Sequence, residues 1–306
     1  MMRNVFVITG PTASGKSGVV QQIYEEYPFV KVVNADSKQV YRELPIITAQ
    51  PENRRDYSLY SCCSVADEYS VMHWVESVRQ LCSNIEDRTP LLIVGGSCMY
   101  IHTLIKGISN IPVVSDMSKK TASDMVDECD RKSLFQNMCA QYSGFCKVDY
   151  LNTYTFKKNI SAYLEYGQTY IELISKSPRN VVLENANLVL YALLPDRSDL
   201  YQAINQRTEA IIQDEAISEV QNIQHLQLSR SAHGCIGLKE ITNYLNDRCS
   251  FSHMVNEIQQ NTRNYAKRQM TWIRNNLNDN IFTKCSSLVE RLHRDIGKYD
   301  FFRIPE

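Results

Sequence analysis

"VFVITGPTASGKS", residues 5–17, is the stretch that decides the fold. Val5, Phe6, Val7 and Ile8 form a short apolar run that ends at Thr9-Gly10. A run of this length and composition, closed by glycine, reads as a buried parallel strand. Gly10, Gly15, Lys16 and Ser17 then match the spacing Gly-x-x-x-x-Gly-Lys-Ser/Thr of a phosphate loop. The spacing has a chemical reason. Backbone amides and the N-terminus of the following helix converge on phosphate oxygens. Lys16 adds a point charge, and the Ser17 hydroxyl can ligate the Mg²⁺ that phosphates carry. Gly10, Pro11, Thr12, Ala13, Ser14, Gly15, Lys16 and Ser17 are therefore the candidate diphosphate- or nucleotide-binding segment, with Ser17 as the candidate metal ligand. A ligand-free glycine-rich turn is the plain alternative, and the strand-loop-helix context argues against it.

Outward from this loop the chain keeps an α/β rhythm. A helix is expected from Lys16 to about Tyr27, a strand over Phe29–Val33, a helix over Val65–Asn84, a strand over Leu91–Val94 and a helix over Cys98–Lys106. Such alternation predicts a parallel sheet covered by helices. After Pro112 the rhythm stops. Up to Pro178 there is no proline, and the polar, helix-compatible sequence lacks a good strand run, which predicts a helical insertion over 113–177. Residues 1–112 and 178–306 then form one discontinuous core. A strand is expected over Leu188–Leu194, with helices over Tyr201–Ile212, Ile217–Gln227, Leu238–Leu245 and His253–Asn276.

Composition narrows the class. Of 306 residues, 43% are hydrophobic and 22% charged, as in soluble globular proteins. Lys+Arg is 33 and Asp+Glu 34, so overall charge does not point to nucleic acid. Locally it does: Arg263 to Arg303 holds nine Lys/Arg and four Asp/Glu. That face either meets a polyanion or is simply solvated. The ten cysteines include no Cys-x-x-Cys pair and no histidines at zinc-ligand spacing. Reduced, mostly buried thiols in a cytoplasmic protein are expected. The N-terminus predicts neither a signal peptide nor a membrane span.

A nucleotide kinase or hydrolase needs a second acid, an Asp at a strand end that holds Mg²⁺. The Leu91–Val94 run ends in Gly95-Gly96-Ser97 instead. The carboxylate at a strand end is Asp36, in "NADSKQVY". In open α/β sheets ligands bind at that edge. Asp36 can bind a metal there, accept a proton from an attacking nucleophile, or merely cap a turn.

Four stretches in order, "GPTASGKS", "ADSKQVYRELPIITAQP", "GGSCMYIHTLIKGIS" and "NTRNYAKRQMTWIRN", resemble the tRNA dimethylallyltransferase (tRNA isopentenyltransferase) family. The most specific are Asp-Ser-x-Gln-x-Tyr and Thr-Arg-x-x-Ala-Lys-Arg-Gln-x-Thr-Trp-x-Arg. Weaker matches, "LLPDRSDLYQAINQR" and "IGLKEI", extend the likeness over nearly the whole chain. The spacing suits the bacterial form, without the C-terminal zinc finger of some eukaryotic members.

The resemblance implies transfer of a dimethylallyl group from its diphosphate to N6 of the adenine on the 3′ side of the anticodon. Asp36 matches the general base. Lys16, the loop amides, Mg²⁺ near Ser17, and Arg207 match groups that stabilise the departing pyrophosphate. Ser97 replaces a family Thr and keeps its hydroxyl, which otherwise reads as a helix cap. Asp36, Ser37, Lys38, Gln39 and Ser97 match the segment around the target base. Arg263, Lys267, Arg268 and Arg274 meet tRNA phosphates or pack a basic helix on the core. Lys119, Lys157 and Lys158 are the phosphate contacts implied for the insertion, which in the family grips the anticodon stem-loop. A monomer is expected. Departures fall at Pro45-Ile46-Ile47-Thr48-Ala49-Gln50-Pro51, Tyr57-Ser58 and Thr155, and concern RNA contacts more than chemistry. Two other readings share some features: a P-loop small-molecule or nucleoside kinase, and a tRNA-binding relative without catalysis.

Overall fold

From its N-terminus the chain runs through β1 (Arg3–Thr9), α1 (Lys16–Glu26), β2 (Lys31–Asn34), α2 (Val71–Ser83), β3 (Leu91–Gly95) and α3 (Cys98–Lys106). Next come β4 (Ile108–Ser109), α4 (Asp116–Glu128), α5 (Arg131–Gln141), α6 (Thr153–Tyr166), α7 (Tyr170–Lys176) and β5 (Arg179–Asn180). The last stretch holds β6 (Ala186–Leu193), α8 (Arg197–Gln213), α9 (Ala216–Asn222), α10 (Leu238–Leu245), α11 (Phe251–Asn276), β7 (Ile281–Phe282) and α12 (Cys285–Gly297). These elements come from a computed structural model that describes residues 2–86, 88–213 and 215–298. Asp300 and Arg303 of the basic stretch lie outside the described residues.

The chain divides into two units, one of Met1–Ile105 with Val182–Glu306 and one of Lys106–Val181. The division lies a few residues outward of the 113–177 expected from composition. The reason is the short antiparallel pair of β4 with β5, which joins the two ends of the inserted segment.

The first unit is built on a five-stranded sheet in the order β2-β3-β1-β6-β7, all parallel. β1 lies in the middle, which is why its sequence is apolar on both sides. Phe6 and Ile8 pack with Val32, Leu92, Val94, Tyr191 and Leu193 against Val20 and Ile23 of α1 and Leu288 and Leu292 of α12. Near the carboxyl edge, Ala192 and Leu194 pack with Leu200 and Ile204 of α8 and Ala266, Met270 and Ile273 of α11. In register, Thr9 stands beside Gly95 and Ala192, and Asn34 beside Val94. Winding reverses between β1 and β3: the chain leaves β1 toward β2, and leaves β3 toward β6. That switch point opens a crevice at the carboxyl ends of the strands.

Several boundaries differ from the sequence reading. Helix α2 begins at Val71, six residues later than expected, because tertiary contacts take up the preceding backbone. Val65 N donates to Glu43, Tyr69 N to Ser231 Oγ, and Val65 O accepts from Ser229 N. Ser70 then caps the helix, accepting from His73 N while His73 Nδ1 accepts from Ser70 N. Strand β7, two residues long, carries no periodic signal, whereas α12 carries an apolar stripe at Leu288, Leu292 and Ile296, spaced four apart, that packs against α1. The expectation of mostly buried thiols fails: Cys63 and Cys235 are buried, whereas Cys62, Cys129, Cys146 and Cys285 are exposed. Cysteine is small enough to sit in surface turns and helix termini when no core position demands it.

The second unit packs its own core. Ala122 and Val126 of α4, Leu134 and Met138 of α5, and Phe156 and Ile160 of α6 enclose Phe145. Capping explains its helix starts. Ser115, Asp130, Asn152 and Thr169 each accept a backbone N–H from the first turn.

Candidate active site

The phosphate loop turns through two left-handed residues, Ala13 (φ 62°) and Gly15 (φ 95°), into α1. Ser14 N donates to Pro11 O across the turn. Gly10 is required by its surroundings: a Cβ there would meet Leu193 O at 2.5 Å. Lys16 folds back along the loop, and its Nζ donates to Gly10 O at 2.9 Å and Pro11 O at 2.6 Å. Burial lowers its pKa to about 8, with Asp36 opposing that shift and Arg207 adding to it. Asp36 and Arg207 thus share the electrostatic environment of Lys16.

Asp36 lies two residues beyond β2. Its place is set by Asn34, which is fully buried. Asn34 Oδ1 accepts from Asp36 N at 2.7 Å, and Asn34 Nδ2 donates to Asp36 O at 2.9 Å and Leu59 O at 3.0 Å. Trp74 Nε1 donates to Asn34 O at 2.7 Å, so α2 secures the same strand end. The Asp36 carboxylate accepts from Lys38 N at 2.9 Å.

The loop after β3 brings Ser97 to the same place. Ser97 Oγ accepts from Ser37 N at 2.8 Å and bonds Ser37 Oγ at 3.1 Å, so the hydroxyl faces the Asp36 segment and does not cap α3. The paired glycines make this approach possible. A Cβ on Gly95 would lie 2.1 Å from the backbone of Ala35, and one on Gly96 would lie 2.4 Å from Gln269 Nε2.

Two cavities open here. The larger, about 750 Å³, is lined by the phosphate loop from Thr12 to Gly18 and by Asp36, Gln39, Tyr60 and Arg207. The smaller, about 210 Å³, is lined by apolar Ile47, Ile211, Ile236 and Ile258 with Lys38, Tyr265 and Arg268. Thr12, Asp36 and Arg207 line both. Arg207 comes from α8, is half-buried, and makes no ion pair among the described residues. Burial lowers its pKa and the Asp36 charge opposes that shift.

The remaining candidates are placed as follows. Gln39 turns into the larger cavity and donates to Thr48 O and Ala49 O. Lys38 Nζ donates to Ser231 O at 2.6 Å. Arg263 is tied by Asn205 and Gln260, and Arg268 lies 5.7 Å from the Tyr265 ring. Lys267 and Arg274 project from α11 into solvent. In the second unit Lys119 pairs with Asp116 at 2.8 Å and Lys157 with Asp127 at 2.6 Å. Lys158 sits 3.7 Å over the Tyr170 ring. Asn34 escaped the sequence reading because a buried amide at a strand end carries no signal of its own, and Tyr265, half-buried on α11, reads from sequence only as a residue that packs the basic helix on the core, not as part of the cavity wall.

Comparison with known proteins gives the family and the fold. The family model described as IPP transferase matches residues 39–276. The tRNA dimethylallyltransferase of Anaplasma phagocytophilum (strain HZ) is 35% identical over 284 residues, covering 90% of this chain and 89% of its own length. The crystal structure of tRNA delta(2)-isopentenylpyrophosphate transferase from Staphylococcus epidermidis superposes with TM-score 0.66 at 21% identity, covering 97% of this chain and 99% of that one. A eukaryotic dimethylallyltransferase acting on tRNA superposes with TM-score 0.70 at 21% identity, covering 89% and 70%. The fold is thus shared across these enzymes, and the chain belongs to the tRNA dimethylallyltransferase (IPP transferase) family.

Proposed function

We propose that this chain transfers a dimethylallyl group from dimethylallyl diphosphate to N6 of the adenine 3′-adjacent to the anticodon in tRNA, releasing pyrophosphate. One observation carries the reading: Asp36 and Arg207 line both a polar cavity built on the phosphate loop and a smaller, more apolar one. The larger cavity suits the diphosphate. The smaller suits a planar base, flipped out of the anticodon loop so that its edge can be reached.

In the reaction N6 attacks C1 of the donor. The N6–C1 bond forms, the C1–O bond breaks, and the electron pair leaves with pyrophosphate. Asp36 accepts the N6 proton. Lys16, the loop amides and Arg207 stabilise the charge that develops on the leaving group. Ser97 supports the Asp36 segment through Ser37.

Mg²⁺ fits the donor set. Among the described residues no cluster of three His, Cys, Asp or Glu offers a protein cage. A site made of the Ser17 hydroxyl, diphosphate oxygens and water is the arrangement this ion prefers. When bound, it would neutralise charge on the diphosphate. We propose that the protein works as a monomer. Among the described residues no helix is long and apolar enough to cross a membrane, and we place the reaction in the cytoplasm with its tRNA substrate.

The test is incubation of the protein with unmodified tRNA, labelled dimethylallyl diphosphate and Mg²⁺. Label entering tRNA at the adenine beside the anticodon supports the proposal. ATP-dependent phosphorylation of a small molecule without such label, or tRNA binding without turnover, would replace it.

A further inference from the structure

Gln269 stands apart from the basic residues that surround it on α11. It is 1% exposed, and both ends of its amide are used. Oε1 accepts from Thr12 N in the phosphate loop at 2.9 Å. Nε2 donates to Gly96 O in the loop after β3 at 2.7 Å. Among the described residues no side chain of either loop bridges to the other in this way. Gly96 has no room for a Cβ because Gln269 occupies that space.

These contacts act on the parts that do chemistry. The Thr12 amide is the last before the left-handed Ala13, which with Gly15 turns the loop along the wall of the larger cavity and into α1. Fixing Thr12 N fixes where that curve begins. Gly96 precedes Ser97, whose hydroxyl supports Ser37 beside Asp36. One side chain therefore sets the spacing between the phosphate cradle and the loop that supports Asp36. It does so from the helix that also presents Lys267 and Arg268.

Resting on the proposed prenyl transfer, we propose that Gln269 is a positioning residue. It holds the phosphate loop and the Gly95–Ser97 loop in register, so that the diphosphate and the Asp36 carboxylate face one reacting centre. It touches neither substrate and exchanges no proton.

The test uses the full chain with Gln269→Met, which fills nearly the same volume without either hydrogen bond, and Gln269→Glu. Measured are pyrophosphate affinity with Mg²⁺ in the absence of tRNA, affinity for the anticodon stem-loop, kcat and KM for the donor, and Tm. For Gln269→Met we expect pyrophosphate affinity and kcat each to fall about tenfold or more, as lost buried hydrogen bonds imply, with stem-loop affinity within about twofold. For Gln269→Glu, one oxygen still accepts from Thr12 N, while a carboxylate repels Gly96 O. Activity relative to wild type should rise as pH falls from about 8 to about 6, because the buried acid regains a proton to donate. Unchanged pyrophosphate affinity and kcat in Gln269→Met would overturn the proposal. So would equal loss of both affinities with a lower Tm, or a flat relative profile for Gln269→Glu. If wild type transferred no label to tRNA, the functional reading would fall, and the pyrophosphate comparison would still decide the role of Gln269.

Discussion

Asn34 grips the peptide of Asp36 at both its N–H and its C=O, so the position of the carboxylate depends on a buried amide two residues upstream. Replacing Asn34 by Leu should destabilise the fold by about 2 kcal/mol or more, since buried backbone groups lose their partners. A shift in the denaturation midpoint measures this. Asp36→Ala should leave stem-loop affinity near wild type and lower kcat by about 10²-fold or more, the usual worth of a general base. Near-normal turnover would remove Asp36 from that role. Lys16 offers a pH test. Burial lowers its pKa to about 8, so the free protein holds the charge below that pH and loses it as pH rises. Donor affinity should fall about tenfold per pH unit above about 8. Binding a diphosphate restores the charge, so titration calorimetry near pH 9 should show proton uptake, absent in Lys16→Met. The stability sign is the reverse of an ion-pair gain. The unfolded chain binds this proton more tightly, so the Lys16 contribution to folding improves as pH rises from about 8 toward 10.5.

At the scale of elements, the glycines at the end of β3 matter because two neighbours press against them. The backbone of Ala35 closes on Gly95, and Gln269 closes on Gly96. Gly95→Ala should therefore push β2 and β3 apart at the edge that carries Asp36. We expect a loss of about 1–3 kcal/mol, the range for overpacked sites, together with a fall in kcat. Calorimetry and single-turnover assays check the two parts. Most of the element plan was legible in the sequence. β1, α1, β3, α3 and α10 follow from apolar periodicity and turn residues, which are local signals. The start of α2 was not, because its preceding backbone is consumed by Glu43, Ser229 and Ser231, two of them far away in the chain. The Lys157–Asp127 pair was likewise invisible, because it joins α6 to α4 across the fold, whereas Lys119–Asp116 stands at i,i+3 within α4. The Lys119–Asp116 pair, exposed on both sides, is weak enough to be exchanged for phosphate.

At the scale of the whole molecule, 33 basic and 34 acidic residues nearly cancel. Affinity for tRNA must come from local cations, and its salt dependence should be modest. We expect a plot of log affinity against log salt with a slope of about −3 to −5, steepest at low salt, corresponding to a handful of neutralised phosphates. Lys267→Gln and Arg274→Gln should each make it shallower by about one if they contact phosphate, and leave it unchanged if they only dress α11.

The sequence by itself determined the phosphate loop, the α/β alternation around it, the helical character of the inserted segment and the family motifs that contain Asp36 and Ser97. These are readable because they rest on contiguous residues whose spacing has a local physical meaning. Tertiary structure decided the strand order, the two cavities that share Asp36 and Arg207, and the clamps of Asn34 and Gln269. Those depend on where parallel strands end side by side and on which buried polar groups find partners across the chain. Gln269 and Thr12 are 257 residues apart in sequence, and only the folded sheet edge brings them to 2.9 Å.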